Sequence, residues 1–153
     1  MNLKDRLTED LKQAMRQGDE RRKSTIRLVR AAITNAEIER GGELGDDEVL
    51  AIIAKQTKQR RESVTEFAKA GRQDLVDQEE EELQILLGYL PAQMSRDEIE
   101  VAARQVIAEV GATSMAQMGE VMRRLMSQLK GKADGSLVNQ VVREILTGEA
   151  KTP

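Results

Sequence analysis

"LQILLGYLPAQMSRDEIE", residues 83–100, decides how the chain is read. Its first half carries leucines at helical spacing: Leu83, Leu86, Leu87 and Leu90. Pro91 stops that pattern, because proline disfavours a helical backbone in the residue before it. Ser95 and Glu98 then make an S-x-x-E capping box, the signature of a new helix start. One helical unit ends here and another begins.

Working outward, the pattern is helical on both sides. Leu3, Leu7, Leu11 and Met15 recur four apart on a first helix that ends near Gly18. Asp19 is placed to cap a second, with a stripe of Ile26, Val29, Ile33 and Ala36. "GGELGD" (Gly41 to Asp46) interrupts it. Asp46 or Asp47 is expected to cap a long third helix through Ile52, Ile53, Gln56, Val64 and Phe67, ending at Ala70-Gly71. The fourth runs from Leu75 through Glu79 to Leu90. Beyond Pro91 a helix through Ile99, Ala102, Val106 and Val110 closes at Gly111. Another, capped by Thr113 or Ser114, carries Met115, Met118, Met122, Leu125, Met126 and Leu129. After "KGKADG" (Lys130 to Gly135), Ser136 is expected to cap the last helix, whose stripe is Leu137, Val138, Val141, Val142, Ile145 and Leu146. No run alternates as a strand does. The reading is all-α: a long-helix N-terminal bundle over 1–90, a small three-helix C-terminal domain over 91–148, and a frayed tail over 149–153.

Composition excludes several chemistries. The 153 residues include no cysteine and no histidine. Thiolate nucleophiles, disulfides, imidazole bases and the usual zinc ligands are therefore absent. One Phe, one Tyr and no Trp leave an aliphatic core. No G-x-S-x-G elbow or P-loop is present, so no catalytic set assembles, and no metal or cofactor is expected. The net charge of −3 gives no global basic field, and nucleic-acid partners have to be sought in local patches. The N-terminus, MNLKDRLTED, has no apolar run of signal-peptide length, and no segment is long and apolar enough for a membrane span. These features lead to the expectation of a soluble cytoplasmic protein without membrane contact.

Three patches stand out. Lys23, Arg27 and Arg30 share a helix face at spacings of four and three, and either follow a phosphate backbone, form a solvated face or pair with the acidic run Glu79 to Glu82. Lys55, Lys58, Arg60 and Arg61 repeat that signal more weakly. The acidic run itself points around its helix and reads as a solvated face. The methionine stripe reads as core, with a partner groove as its alternative. Around "KGKADG" lie Arg123, Arg124, Lys130, Lys132 and Arg143, with Asp134 the one acid between 121 and 143. Gly131 and Gly135 permit positive φ, and so let the backbone approach a ligand. Asn139 sits one turn into the following helix. The segment reads equally as a phosphate seat or as a capped, solvated turn.

"MGEVMRRLMSQLKGKADGSLVNQVVREIL" (Met118 to Leu146), with "YLPAQMS" before it, resembles the YqeY family of small bacterial proteins. The likeness continues through "LKDRLTEDLKQAMRQGDERRKSTIRLVRAAITNAEIE" and covers essentially the whole chain. From about residue 92 it also resembles the tail domain of GatB, a subunit of the amidotransferase that amidates misacylated tRNA. The shared pattern is Gly119-Glu120-Val121-Met122, then "KGKAD", then Val138-Asn139. Asp134-Gly135 departs from the Asn-Pro that GatB tails often carry there. The resemblance implies a non-catalytic helical module that binds tRNA or another structured RNA. It carries over no active site, and a carbon–nitrogen ligase label would be inherited from the tail alone. The alternatives are an accessory subunit working with amidotransferase subunits, or a protein-interaction module.

Overall fold

The computed structural model describes residues 1–148. The frayed end expected over 149–153 lies outside the described residues. Those residues form seven α-helices and no strand, an all-α architecture. They divide into two compact units, Met1–Pro91 and Ala92 onward.

The first unit holds α1 (Leu3–Gln17), α2 (Glu20–Arg40), α3 (Asp46–Lys69) and α4 (Gln73–Leu87). Asn2 and Asp19 cap α1 and α2 through side-chain oxygens that accept from Asp5 N–H and Arg22 N–H. Gly18 ends α1 in the left-handed conformation at φ 67°, where its N–H reaches the carbonyls of Ala14 and Met15. The core joins Leu7, Leu11, Ile26, Val29, Ile33, Val49, Ile53 and Leu86, with Leu44 from the α2–α3 connection. Met15, expected on the α1 stripe, is instead exposed, and Ala14 is buried. A strict four-residue spacing drifts off a face that repeats every 3.6 residues.

Two helix ends also differ from expectation. Gly45, not Asp46 or Asp47, is the N-cap of α3, and the Asp46 carboxylate accepts from the Leu3 N–H at the start of α1. The helix α4 stops at Leu87, three residues before the residue that Pro91 restricts. The freed segment buries Tyr89, whose hydroxyl donates to the Asp10 carboxylate. Asp10 is also approached by Arg22 at 3.5 Å and Arg6 at 3.9 Å, and the Arg6 guanidinium stands 4.7 Å from the Tyr89 ring centre.

The second unit is α5 (Arg96–Val110), a 3₁₀ turn at Met115–Gln117, α6 (Met118–Leu129) and α7 (Gly135–Leu146). The capping box of Ser95 with Glu98 is formed in both directions. The helix expected to run unbroken from Ser114 begins as the separate 3₁₀ turn, capped by Ser114 and Gln117. Met118 is buried, while Met122 and Met126 pack against the core of Ile99, Val106, Val121, Leu125, Val138 and Val142. The methionine stripe is mostly core.

Candidate functional site

The "KGKADG" connection is built by its ends. Lys130 leaves the helix with φ −53° and ψ 123°, and Gly131 takes φ 78°, a left-handed turn that favours glycine. Gly135 does not share this role. It is the first residue of α7, and Asp134, not Ser136, is the N-cap, accepting from Ser136 N–H at 3.1 Å. The expectation of two turn glycines therefore holds for Gly131 alone. The connection's carbonyls face inward: Gly131 accepts from the Gln93 side chain at 3.0 Å and Lys132 from Met94 N–H at 2.8 Å. Two bonds to the lead-in of α5 thus hold the loop backbone, while Lys130 and Lys132 remain exposed and Ala133 packs against the core.

Lys130 and Lys132 are exposed, as is Arg143. None of the three has an ion-pair partner among the described residues. Arg143 lies four residues beyond Asn139 and eight beyond Gly135, so the three share one face of α7. On α6, Arg123 and Met126 likewise share a face, and Lys130 follows directly as the helix's C-cap. These two faces adjoin, because the Met126 methyl lies 3.8 Å from where a Cβ on Gly135 would stand. Asn139 is half-buried, and its side chain has no hydrogen bond to the described residues. Arg123 and Arg124 differ from the lysines in being engaged by one carboxylate, Glu120, at 2.8 and 3.0 Å. Arg123 and then Arg124 hold the Glu120 carboxyl below its ordinary range. Glu120 sits one residue before the segment surveyed in the sequence, which is why this pairing was not anticipated.

The N-terminal patches sort the same way. Lys23 pairs with Glu20 at 3.3 Å, whereas Arg27 and Arg30 have no ion-pair partner among the described residues. The acidic run is solvated only in part, with Glu80 and Glu81 exposed and Glu82 buried. Glu82 is buried between Arg60 at 2.9 Å and Arg21 at 3.6 Å, and Glu79 and Glu81 each take one of the same two arginines. The run therefore pairs with Arg21 and Arg60 and not with the Lys23, Arg27 and Arg30 face.

A sequence model of the YqeY family, described as "Yqey-like protein", matches residues 4–146. Relatives named "Altered inheritance of mitochondria protein 41, mitochondrial" are similar to the chain. The one from Pyrenophora tritici-repentis is 35% identical over 147 residues, covering 92% of this chain and 79% of the relative. The Kluyveromyces lactis relative is 40% identical over 108 residues, 68% of this chain and 58% of its own length. A Saccharomyces cerevisiae relative is 35% identical over 138 residues, 90% and 64% respectively. For the last two, the chain spans less than two thirds of the relative. The mitochondrial names overturn the expectation of a cytoplasmic protein. That expectation rested on the lack of a secretory leader or span, and neither feature distinguishes one aqueous compartment from another. Among the described residues no helix is long and apolar enough to cross a membrane. The match over 4–146 and these likenesses agree on one kinship: the chain belongs to the YqeY family.

Proposed function

We propose that the chain is a non-catalytic helical module that binds tRNA or tRNA-like RNA by its phosphate backbone. Lys130 and Lys132 act as point charges, with Arg143 and Arg123 flanking them and Arg124 on the outer side of α6. Asn139 donates to a phosphate or a ribose hydroxyl. The observation that supports this reading is a contrast at one loop: its backbone is tied down, yet Lys130 and Lys132 in it, and Arg143 on the helix that follows, stay exposed without an ion-pair partner among the described residues. Unspent cations on a fixed scaffold suit phosphate, where each neutralised charge releases counterions. With one Phe and one Tyr in the chain, stacking on bases contributes little. Binding is therefore salt-dependent and weak in sequence preference.

The test is a salt titration of binding to unacylated tRNA. Replacing Lys130 and Lys132 by alanine is expected to weaken binding and to flatten the salt slope by roughly one unit per lost phosphate contact. Equal affinity of parent and double variant at every salt concentration refutes the reading. Co-purification of amidotransferase subunits with unimpaired tRNA binding by the double variant would favour an accessory subunit instead.

A further inference from the structure

The outer face of α2 carries a seam that stays exposed. Leu28 and Ile38 are 51% and 73% exposed, on a helix whose other face is core. With Ala31 and Asn35, which are exposed as well, they recur at spacings of three, four and three. That is the a/d pattern of a helix-pairing seam, and it lies on the side of α2 opposite Ile26, Val29 and Ile33.

Charge divides the same helix lengthwise. No acid occurs from Arg21 to Ala36, and Arg40 is the one cation from Glu37 to Glu48. In the basic half Arg21 and Arg22 are taken up by Glu82 and Asp10. Arg27 and Arg30 stay exposed, without an ion-pair partner among the described residues. In the acidic half Arg40 is taken up by Glu48 and Glu37 by Lys4. Glu39 stays exposed, and it too has no ion-pair partner among the described residues.

From this arrangement we infer that two copies of the chain pair through α2, antiparallel about a two-fold axis level with Ile33. Leu28 of each copy packs on the partner's Ile38, and Ala31 on the partner's Asn35. Large side chains then meet large ones, and the small Ala31 leaves room for the one amide. An amide within such a seam disfavours slipped registers. Charge decides the direction. Parallel copies would align Arg27 and Arg30 with their own counterparts, whereas antiparallel copies bring Arg27 to the level of the partner's Glu39. Only a partner basic at one end and acidic at the other satisfies both halves of α2, and a second copy is such a partner. One helix pair buries less than the roughly 1,200 Å² of a stable interface, so the association is weak. This inference is independent of RNA binding, because it uses a different unit and different residues.

The test is sedimentation of the full chain over a range of concentrations. A monomer–dimer equilibrium is expected, half-associated at about 10–100 µM and tighter at low ionic strength. Leu28→Asp and Ile38→Asp are each expected to weaken it more than about tenfold, because each removes two contacts from the dimer. Val101→Asp, at a similarly exposed apolar position on α5, leaves the affinity unchanged. Arg27→Glu and Glu39→Lys each weaken association, and the two together restore it, since the reversed charges still meet. Direction is read by crosslinking, because the chain has no cysteine of its own. Thr34→Cys, beside the axis, links two copies through a short bismaleimide. Ser24→Cys, about 27 Å along the helix from its counterpart, does not. A monomer at every concentration up to about 1 mM overturns the inference. So does a dimer indifferent to Leu28→Asp, or one linked through Ser24→Cys and not Thr34→Cys. The Lys130 and Lys132 double variant dimerises like the parent, which separates this result from the RNA reading.

Discussion

The two units differ in what they bury: polar side chains lie inside the first and not, among the described residues, inside the second. In Met1–Pro91 three arginines are drawn toward buried or half-buried carboxylates, Arg21 and Arg60 to Glu82 and Arg22 to Asp10, while Arg27 and Arg30 stay exposed. Thr25 and Thr57 are also buried there, each donating to the carbonyl four residues earlier. From Ala92 onward the buried side chains are apolar without exception among the described residues, and charge stays outside. A helical unit with long helices can hold ion pairs between them because each pair spans two elements already in contact. A unit of three short helices has too little buried area to spare for desolvated charge. Lys130, Lys132 and Arg143 stay on its surface without an ion-pair partner among the described residues, whereas Arg96, Arg104, Arg123 and Arg124 are paired.

The largest test of this contrast removes aliphatic core from the second unit. Leu125 is fully buried, and Leu125→Ala is expected to cost about 3 kcal/mol, from lost transfer energy and the cavity left behind. Hydrogen exchange should show protection lost across α5, α6 and α7 while α1 to α4 keep theirs. Loss of protection in all seven helices together would break the comparison and make the chain one cooperative body.

A smaller effect is expected from the first unit's charge. Glu82→Gln removes the carboxylate shared by Arg21 and Arg60, and is expected to cost about 1–2 kcal/mol, since both arginines retain some solvent. Urea unfolding followed at α3 and α4 measures it. A variant as stable as the parent would mean that the buried pairing contributes specificity and not stability.

The α5 boundary was legible because its box is local: Ser95 and Glu98 need only each other. Gly18, Gly41 and Gly111 were legible as helix ends for the same reason. Asp46 was misread because its partner is Leu3, forty-three residues away, and no local rule reports such a bond. Glu82 was misread as solvated because an acidic run looks the same in sequence whether or not arginines from other helices reach it. At the candidate interface, "KGKADG" announced its lysines, but the pinning by Gln93 and Met94 depends on how the lead-in to α5 returns to the loop.

The smallest expected effect concerns pH at Lys4 and Glu37. The hydrogen bond from Lys4, and then the one from Leu44 N–H, hold Glu37 below its ordinary 4.5. Its contribution is present above that value and is lost as pH falls through the lowered one. The same bond to Glu37 raises Lys4 above 10.5, so the Lys4 contribution is complete below 10.5 and is lost as pH rises through the raised value. The melting temperature of Glu37→Gln should therefore lie slightly and evenly below the parent's from about pH 6 to 9, and the gap should close in acid, below about pH 4. A gap that widens in acid would show that Glu37 is protonated in the native protein.

Tyr89 gives the chain an optical asymmetry. It is the one tyrosine, and there is no tryptophan. Near-ultraviolet absorbance and emission therefore watch Met1–Pro91 almost alone, and the second unit is dark to them. Burial, and then the hydrogen bond to Asp10, push the phenol well above its ordinary range. Tyrosinate should thus appear in alkali only as the Tyr89–Asp10 contact opens, an ultraviolet absorbance change that times the release of α1 from the end of the first unit.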